Sequence, residues 1–293
     1  MKTKEVFHCG YVAIVGKPNV GKSTLINLLL GEKLSAITPK PQTTRHRILG
    51  ILDDKNYQII FMDTPGLISE PKYKLQELMN KTLHSALQDA DLVVLMIEPE
   101  TEFQQERELL SLKKDTILVI NKIDLIQKDL LLPLIDSVQK VYNFKEIIPI
   151  SAMNADGTDK LLDCIIKYLP TNPPYFPKDT FTDKPERFFV AEIVREKIFE
   201  EYGQEVPYST TVIIDEFKER EGRKDYIRAV IYVEKESQKV ILIGKKGAKL
   251  KKIGKCARQE IEAFLGREVF LELWVKTKKK WKDNIQMLKE LGY

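Results

Sequence analysis

Two glycine–lysine loops in the sequence contain the residue types that bind phosphate. The first, GKPNVGKS at residues 16–23, matches the spacing G-x-x-x-x-G-K-[ST]. In that arrangement backbone N–H groups and the lysine surround phosphate oxygens, and the final hydroxyl supplies an oxygen to Mg²⁺. The second, GKKG at residues 244–247, has a shorter arc and no Ser or Thr after it. It therefore cannot wrap a triphosphate in the same way.

The motif DTPG, at residues 63–66, follows the apolar run YQIIFM. Its aspartate is at the tip of a predicted strand, where the Asp63 carboxylate can hold Mg²⁺ through water. The Gly66 N–H can meet a γ-phosphate at the same edge of the sheet. The motif therefore adds metal and phosphate contacts to those of the first loop.

Two further motifs, NKID and SAMN, also end apolar runs. The Asp124 carboxylate can accept hydrogen bonds from N1 and N2 of guanine, two donors that adenine does not present. Asn121 can approach the same base, the stem of Lys122 can lie on its face, and the Ala152 N–H can donate to O6. Each motif is short, but four of them in order at strand ends predict a GTP site.

The predicted nucleotide site draws on all four motifs, with GTP or GDP and Mg²⁺ as its cofactors. It consists of Gly16, Lys17, Pro18, Asn19, Val20, Gly21, Lys22, Ser23, Thr24, Asp63, Thr64, Pro65, Gly66, Asn121, Lys122, Asp124, Ser151, Ala152 and Met153. Among them, Lys22 is expected to reach the β- and γ-phosphates.

The runs between the motifs predict the fold that positions them. Over residues 10–170, short β-rich runs alternate with helical patterns, which is typical of an α/β domain with a mostly parallel sheet and helices on both faces. The runs RILGIL and YQIIFMD flank the turn signal DDKN, so we expect an antiparallel hairpin there. The last helix of this part is predicted over about residues 158–169.

A proline-rich segment divides the chain. Its prolines, at positions 170, 173, 174, 177 and 185, cannot continue a helix or donate to a sheet ladder, so we predict an extended linker. After it come a helical pattern, two strand-like runs, the second loop with a basic helix, and the strand-like VFLELWVK. The predicted organisation is a nucleotide domain over 1–172, a linker over 173–186, and an α+β domain with a C-terminal helix over 187–293.

Charge is distributed unevenly along the chain. The formal net charge is +4, but residues 239–282 contain 14 Lys and Arg against 4 Glu. The local balance is +10, which leaves −6 for the remainder of the chain. This asymmetry predicts a polyanionic partner for the second domain.

The composition favours a soluble, cytoplasmic protein. Hydrophobic residues make up 43% of the chain and charged residues 31%. No apolar run approaches the roughly 18 residues that span a bilayer, and we see no secretory signal before the first strand. Cys9, Cys164 and Cys256 have neither paired nor metal-binding spacing, which fits a reducing compartment.

The strings PQTTRHRILGI, DTPGL and NKID closely resemble those of the bacterial Era family, whose first domain is similar to Ras-like GTPases. The resemblance implies that residues 42–46 form a switch loop in which Thr43 or Thr44 gives a hydroxyl to Mg²⁺, and we adopt Thr44. A polar loop here is also an ordinary connection, so this role depends on the resemblance. The implied metal ligands are Ser23, Thr44 and Asp63, and the implied catalytic residues are Lys22, Thr44 and Gly66.

Two positions bear on the rate of hydrolysis. The residue after DTPG is Leu67, where Ras-like enzymes have a glutamine that orients water. Leucine cannot hydrogen-bond a water molecule, so we expect slow intrinsic hydrolysis that a partner, a cation or a rearranged switch accelerates. Asn19 is where related GTPases hold K⁺ with an asparagine. A turn residue that tolerates left-handed φ is an equally good interpretation of Asn19.

The second loop and its surroundings resemble a type II K-homology (KH) domain, whose GXXG loop clamps the backbone of about four unpaired nucleotides. Propensity alone favours a strand for VILI before the loop, whereas the resemblance implies a short helix. The lysines at i, i+3 and i+6 after it can continue the phosphate contact, or they can form a solvated helix face. Trp281 is either a helix anchor or a stacking platform. The predicted RNA-binding residues are Ile243, Gly244, Lys245, Lys246, Gly247, Lys249, Lys252, Lys255 and Arg258.

The resemblance covers nearly the whole chain and implies a GTP-hydrolysing switch. It implies binding near the 3′ end of 16S rRNA, a role in assembly of the 30S ribosomal subunit, and peripheral contact with the cytoplasmic membrane. We expect a monomer, because no heptad seam or large apolar stripe is left over. Two other functions remain open: a signalling switch whose basic domain binds anionic lipid, and an RNA-binding scaffold that hardly turns GTP over.

Overall fold

The chain folds into two units. The structure, a computed structural model, describes residues 6–100, 109, 114–203 and 205–293. Contacts between residues assign Met1–Glu70 and Met79–Asp183 to the first unit, and Pro71–Leu78 and Lys184–Tyr293 to the second. The division between Asp183 and Lys184 is inside the predicted linker.

A six-stranded sheet forms the centre of the first unit within its described residues. The strands are β1 (His8–Gly16), β2 (Ile48–Asp53), β3 (Tyr57–Asp63), β4 (Leu92–Ile97), β5 (Thr116–Ile120) and β6 (Glu146–Pro149). Their order is β2-β3-β1-β4-β5-β6, with β2 antiparallel to β3 and the other neighbours parallel. The mostly parallel sheet and the hairpin predicted from the sequence are therefore confirmed.

Helices cover this sheet and complete its core. They are α1 (Lys22–Leu30), α2 (Lys74–Asp89), α3 (Leu131–Gln139) and α4 (Thr158–Tyr168). Ala13 and Val15 of β1 share a core with Leu83 of α2, and the alternate residues Val12 and Ile14 are also fully buried. A strand buried on both faces needs apolar residues at consecutive positions, which is why β1, β4 and β5 are continuous apolar runs.

Part of the predicted linker is hydrogen-bonded to the first unit. The Gln58 side-chain oxygen accepts the Tyr175 and Phe176 N–H groups at 2.8 and 2.9 Å. The Ile51 N–H of the edge strand β2 donates to the Phe181 carbonyl at 2.9 Å. Prolines offer no N–H, but the residues between them do, so this stretch does not act as a free spacer.

The helices and strands of the second unit follow the order that the KH resemblance implies. The prediction of a KH fold is therefore confirmed. Its elements are α5 (Glu186–Glu201), α6 (Glu205–Tyr208), β7 (Thr211–Lys218), β8 (Asp225–Val233), α7 (Glu236–Ile243), α8 (Ala248–Leu265), β9 (Val269–Thr277) and α9 (Ile285–Glu290). The sheet order is β7-β8-β9, with β7 antiparallel and β9 parallel to β8. Apolar residues of α5 and α8 pack on β8, including Ile198, Ile253 and Ile231.

Two local predictions in this unit have clear outcomes. The run VILI is part of α7, as the resemblance implied, and the helix ends at Gly244. The apolar spacing of Trp281, Ile285 and Leu288 predicts a helix over about residues 281–291, but the observed helix α9 covers only Ile285–Glu290. A 3₁₀ turn over Trp281–Asp283 precedes α9, and the Asn284 side chain caps α9 by accepting the Met287 N–H at 3.0 Å.

Within the described residues, no helix combines the length and the apolar character needed to cross a membrane.

Candidate functional site

The first glycine–lysine loop joins the end of β1 to the start of α1. Gly16 and Gly21 have φ angles of +145° and +102°, a region that disfavours side chains. A Cβ at Gly16 would collide with the Met96 carbonyl oxygen, and one at Gly21 with the Asn121 amide. Both positions therefore require glycine, because φ is positive and because a side chain would collide with neighbouring atoms. The loop they form leads directly into the N-terminus of α1, where the first backbone N–H groups of a helix favour anions.

Lys22 places a buried positive charge inside this loop. Its side chain is only 6% exposed, and its ammonium donates to the Gly16 and Lys17 carbonyls at 3.1 and 2.8 Å. A buried ammonium is stable only with such partners. Phosphate oxygens would replace neutral acceptors by charged ones, so the site favours a polyphosphate ligand.

Three oxygen-bearing side chains predicted to hold Mg²⁺ converge beside the loop. Ser23 Oγ lies 3.0 Å from Asp63 Oδ2 and 3.1 Å from Thr44 Oγ1, and Thr44 Oγ1 lies 3.4 Å from the same carboxylate oxygen. Thr43 instead bonds within its own loop, to Thr38 Oγ1 at 2.6 Å and the Lys40 carbonyl at 2.8 Å. The hydroxyl near the metal ligands is therefore that of Thr44.

The Asp63 carboxylate has the environment of a cation ligand. It is fully buried, and its Oδ1 has no hydrogen-bond partner among the residues that the structure describes. Burial raises the pKa of Asp63, against the opposing effects of nearby hydroxyls and the Lys22 ammonium. A hard divalent cation prefers oxygen ligands and would stabilise the ionised carboxylate. The residues present thus fit Mg²⁺.

The DTPG motif packs directly on the first loop. A Cβ at Gly66 would lie 2.6 Å from the Pro18 nitrogen, so only glycine permits this approach. The Thr64 hydroxyl is buried and donates to the Ile14 carbonyl at 2.9 Å, which fixes the motif to β1. Leu67 points into the core of the first unit and is 8% exposed. Its side chain is therefore largely withdrawn from solvent.

Asn121 holds three of the predicted motifs together. It is buried, its Nδ2 donates to the Val20 carbonyl at 2.8 Å, and its Oδ1 accepts the Ala152 N–H at 2.9 Å. We predicted that Asn121 approaches the base and that the Ala152 N–H faces O6. In this structure the two groups bond to each other, because the amide lies beneath both loops.

The remaining residues predicted for the base lie at the mouth of the site. Asp124 is exposed, and Met153 is 78% exposed. Lys122 has φ +64° and forms an ion pair with Glu98 at the end of β4. The Ser151 N–H and carbonyl pair with Asp156 and thereby shape the SAMN turn. Asp124 and Lys122 both line the cavity at this end of the site.

A cavity of about 640 Å³ connects these groups. Phosphate-loop, DTPG, NKID and SAMN residues line it, together with the loop before β2. That loop contributes Ala36, Ile37, Thr38 and Pro39, which sequence reasoning did not assign to the site. Asn19 joins it to the phosphate loop, since its Nδ2 donates to the Pro39 carbonyl at 2.8 Å and its φ is +66°. No motif marked these loop residues, because they are apolar or common in turns.

The second glycine–lysine loop is a 3₁₀ turn, Lys245–Gly247, between α7 and α8. Gly244 and Gly247 have φ angles of +73° and +76°, which glycine tolerates best. Nothing lies within 4 Å of a Cβ placed at Gly247, so conformation alone favours glycine there. Lys245 and Lys246 are exposed. The turn can therefore approach a backbone and present two solvated cations to it.

A groove of about 430 Å³ continues from this loop between α8 and β9. We call it the α8–β9 groove. It is lined by Gly247, Leu250, Lys251, Gly254, Lys255, Arg258, Leu271 and Leu273. Of these, Gly247, Lys255 and Arg258 were predicted. The others were missed: Leu250, Lys251 and Gly254 lie on α8 at spacings of three or four from Gly254 or Arg258, and Leu271 and Leu273 lie on β9.

The lysine stripe predicted on α8 does not follow one face. Lys252 forms an ion pair with Glu201 at 2.6 Å, and the Lys249 ammonium lies 5.0 Å from the Tyr202 ring centre. Three residues turn a helix by about 300°, so each step of three drifts by about 60°. Lys255 alone of the three lysines lines the groove, and Lys251 joins it there.

Trp281 is an anchor for the C-terminal segment. It is fully buried, its indole N–H donates to the Ser209 carbonyl at 3.1 Å, and its ring stacks on Tyr293 at 6.0 Å. A buried ring cannot stack on a base. This observation decides between the two interpretations that the sequence left open.

Two family models match the chain. One, described as "50S ribosome-binding GTPase", matches residues 11–122. The other, described as "KH domain", matches residues 205–282.

Curated relatives match over nearly the full length. GTPase Era of Geotalea daltonii is 47% identical over 296 residues, which cover 99% of each chain. GTPase Era of Geobacter metallireducens is 49% identical over 293 residues, which cover 98% of each.

Two solved structures have nearly the same fold. One is a variant of Aquifex aeolicus Era bound to GDP and AlF₄⁻, with a TM-score of 0.94 and 44% identity. The other is Era in complex with MgGDPNP and nucleotides 1506–1542 of 16S ribosomal RNA, with a TM-score of 0.94 and 45% identity. Each match covers 98% of this chain and 99% of the other.

Proposed function

The chain belongs to the Era family of GTPases, and from this premise we propose that it is a GTP-hydrolysing switch that binds 16S rRNA near its 3′ end. In this role it acts in assembly and maturation of the 30S ribosomal subunit. The observation that carries the proposal is the match to the Era complex with MgGDPNP and nucleotides 1506–1542 of 16S rRNA, which covers 98% of this chain. The large-subunit description belongs to a model that matches residues 11–122 only.

The phosphate end of the nucleotide site is preformed. Lys22 exchanges its two carbonyl acceptors for β- and γ-phosphate oxygens, and the Gly66 N–H donates to the γ-phosphate. Ser23, Thr44 and Asp63 hold Mg²⁺, which neutralises negative charge on the phosphates when it is bound. Ser23 Oγ and Thr44 Oγ1 already lie 3.0 and 3.4 Å from Asp63 Oδ2, so the oxygen ligands are brought together before the chemical step.

The base end selects guanine. The Asp124 carboxylate accepts hydrogen bonds from N1 and N2, and the Lys122 stem lies on the base with its ammonium held by Glu98. Asn121 supports this end of the site by donating its Nδ2 hydrogen to the Val20 carbonyl of the phosphate loop. The Ala152 N–H reaches O6 when it exchanges its Asn121 acceptor for the base.

Intrinsic hydrolysis is slow in this proposal. Leu67 is packed in the core and offers no hydrogen bond to the attacking water. Removing the residue that orients this water leaves GTPases dependent on outside help. Single-turnover hydrolysis, measured with and without RNA, separates this switch from a scaffold that binds GTP and hardly turns it over.

We also propose that K⁺ binds near Asn19. The Asn19 amide and the Pro39 carbonyl meet beside the phosphate loop, and both carry oxygens of the kind that bind cations. The left-handed φ of Asn19 supports the alternative role as a turn residue. Turnover in K⁺ and in Na⁺ distinguishes the two.

The second unit binds single-stranded RNA through the turn 245–247 and the α8–β9 groove. Half-buried Leu250 and Leu273 give the groove an apolar floor, while Lys251, Lys255 and Arg258 supply positive charge along it. This combination suits bases that carry an anionic backbone. The protein is a cytoplasmic monomer in this proposal, and its basic surface also permits peripheral contact with anionic membrane lipid.

Crosslinking the protein to RNA in cells and mapping the sites tests the proposal. We expect crosslinks concentrated near the 3′ end of 16S rRNA, and their loss in Gly247→Asp, which adds a negative charge to the exposed turn. Crosslinks scattered uniformly over all RNA would contradict the rRNA assignment. Binding to anionic liposomes at physiological salt, without RNA affinity, would favour the lipid-binding switch instead.

A further inference from the structure

Ser35 is a buried serine at the start of the loop that leads from α1 to Thr44, and none of the sequence motifs contains it. Ser35 is 2% exposed, and its Oγ has no hydrogen-bond partner among the residues that the structure describes. A buried hydroxyl without a partner costs free energy, so its presence in a folded protein needs an explanation. The next residue, Ala36, lines the nucleotide cavity. Ser35 is therefore a candidate for a role in that site.

Asn27 of α1 fixes the backbone at Ser35. Its Oδ1 accepts the Leu34 and Ser35 N–H groups, both at 2.9 Å, and its Nδ2 donates to the Ser35 carbonyl at 2.8 Å. Leu34 is buried and packs on β2, where a Cβ at Gly50 would lie 2.8 Å from its Cδ2. Three hydrogen bonds and a packed leucine leave this backbone little freedom. The point from which the Ser35 side chain extends is therefore fixed.

The same helix brings Ser35 and the metal ligands together. Asn27 follows Ser23 by four residues, so the two side chains lie on one face of α1. Ser23 Oγ lies 3.0 Å from Asp63 Oδ2, while Asn27 holds Ser35 one turn further along. Burial raises the pKa of Asp63, and the Ser35 hydroxyl has the largest effect among the groups that oppose this rise. Such an effect requires the hydroxyl to lie close to the carboxylate.

The two carboxylate oxygens of Asp63 have different surroundings. Oδ2 lies near the hydroxyls of Ser23 and Thr44, the other predicted Mg²⁺ ligands. Oδ1, like Ser35 Oγ, is buried without a hydrogen-bond partner among the described residues. One of these two atoms is an acceptor and the other carries a donor hydrogen. A hydrogen bond between them would satisfy both buried groups at once.

We propose that Ser35 is a positioning residue of the Mg²⁺ site. Its hydroxyl donates to Asp63 Oδ1 and so keeps Oδ2 turned toward Ser23 and Thr44, where the cation binds. Asn27 supports this arrangement by holding the backbone of Ser35. A hydrogen-bond partner of a carboxylate ligand fixes the orientation of the ligand and thereby strengthens metal binding. The inference rests on the proposed Mg²⁺ site and adds Ser35 and Asn27 to its predicted residues.

The test is Ser35→Ala in the full chain, loaded with a fluorescent GDP analogue and titrated with Mg²⁺. Bound Mg²⁺ stabilises the nucleotide complex, so the Mg²⁺ concentration that halves the rate of nucleotide release measures metal affinity. We expect this concentration to rise roughly 10-fold in the variant, the lower end of the range for loss of a partner of a metal ligand. With Mg²⁺ removed by a chelator, the release rate should equal that of wild type, because the hydroxyl acts through the metal ligand.

Ser137→Ala is the matched control. It removes an exposed hydroxyl of α3 that donates to the Leu134 carbonyl at 2.7 Å, so its release rates should equal those of wild type with and without Mg²⁺. A purely structural role for Ser35 predicts faster release in both conditions, because a loosened loop loses contacts with the nucleotide whether or not the metal is present. That result, or a wild-type response to Mg²⁺ in Ser35→Ala, would overturn the inference.

Asn27→Ala is a second variant, which serves also if Ser35→Ala folds poorly. It frees the backbone of Ser35, so we expect Mg²⁺ affinity to fall at least as far as in Ser35→Ala. The double variant should bind Mg²⁺ no more weakly than Asn27→Ala, since residues that act through one another are non-additive. Wild-type Mg²⁺ affinity in Asn27→Ala, or deficits that add in the double variant, would overturn the inference. Wild-type protein that binds GDP but releases it at a rate independent of Mg²⁺ would overturn the proposed metal site, and the inference with it.

Discussion

The two glycine–lysine loops present positive charge under opposite conditions. Lys22 of the first is buried and hydrogen-bonded inside its own loop, whereas Lys245 and Lys246 of the second are exposed. A buried charge interacts strongly but needs a partner fixed in place. Exposed charges interact weakly and are screened by salt, so their contribution to binding depends on how many of them contact the ligand. The first loop thus suits a small ligand held in one pose, and the second suits a strand.

The glycines of the two loops also differ, in how strictly their surroundings exclude a side chain. In the first loop, side chains at Gly16 and Gly21 are excluded by both φ and collision with neighbouring atoms. In the second, Gly247 has a left-handed φ but open space around it. Tight packing makes both glycines of the first loop intolerant of a side chain, whereas Gly247 of the second tolerates one at the cost of backbone strain. The four predictions below test this contrast, in order of decreasing effect.

Lys22→Ala should produce the largest change. Because it removes a buried cation aimed at the transferring phosphate, we expect single-turnover GTP hydrolysis to fall by roughly 100-fold or more. RNA affinity without nucleotide should stay within about twofold, since the second loop is in another unit. Lys55→Ala, in the exposed turn between β2 and β3, is the control. A loss in hydrolysis below about tenfold would show that the first loop does not depend on its buried charge.

The double variant Lys245→Ala, Lys246→Ala should weaken RNA binding by about tenfold at low salt. The slope of log affinity against log salt should become shallower by about 1.4, since each phosphate contact on a single strand contributes about 0.7. Titrations over a range of salt concentrations measure this slope. An unchanged slope would mean that these exposed lysines do not contact phosphate, and the contrast between the loops would fail.

Asp63→Asn should stabilise the protein in the absence of nucleotide and metal, by about a few degrees in melting temperature. Burial raises the folded-state pKa of Asp63, so its ionisation is unfavourable in the fold. Wild-type stability relative to the Asn variant should therefore fall as pH rises from the ordinary Asp range through the raised pKa, and then level off. Stabilisation by Mg²⁺ with GDP should be lost in the variant. Equal melting curves across this pH window would contradict a desolvated carboxylate.

Exchanging K⁺ for Na⁺ should have the smallest effect, a change of about a few-fold in GTP turnover. If Asn19 supplies an oxygen to the cation, Asn19→Asp keeps the K⁺ response although it loses the donor to Pro39, and Asn19→Ala loses the response. If Asn19 only links the two loops, both variants behave alike. Equal wild-type rates in the two salts would rule the cation site out.

The sequence by itself determined the buried strands of the first unit and the position of each motif. Parallel strands buried on both faces must be continuous apolar runs, so β1, β4 and β5 could be recognised, and the motifs at their ends follow from that. It also indicated two phosphate-binding chemistries, because GKPNVGKS and GKKG differ in length and in the following hydroxyl. Local patterns of this kind need no information about distant residues.

Only the tertiary structure decided which side chains share a site. The position of Thr44 beside Ser23 and Asp63, the use of Asn121 as a link between loops, and the burial of Trp281 all depend on residues far apart in sequence. The positions of the lysines predicted on α8 depend on packing in the same way, since Lys252 pairs with Glu201, Lys249 lies over Tyr202, and Lys255 alone of the three lines the α8–β9 groove. Spacing along a helix fixes the angle of a side chain, but what it meets at that angle depends on the packing of the other elements.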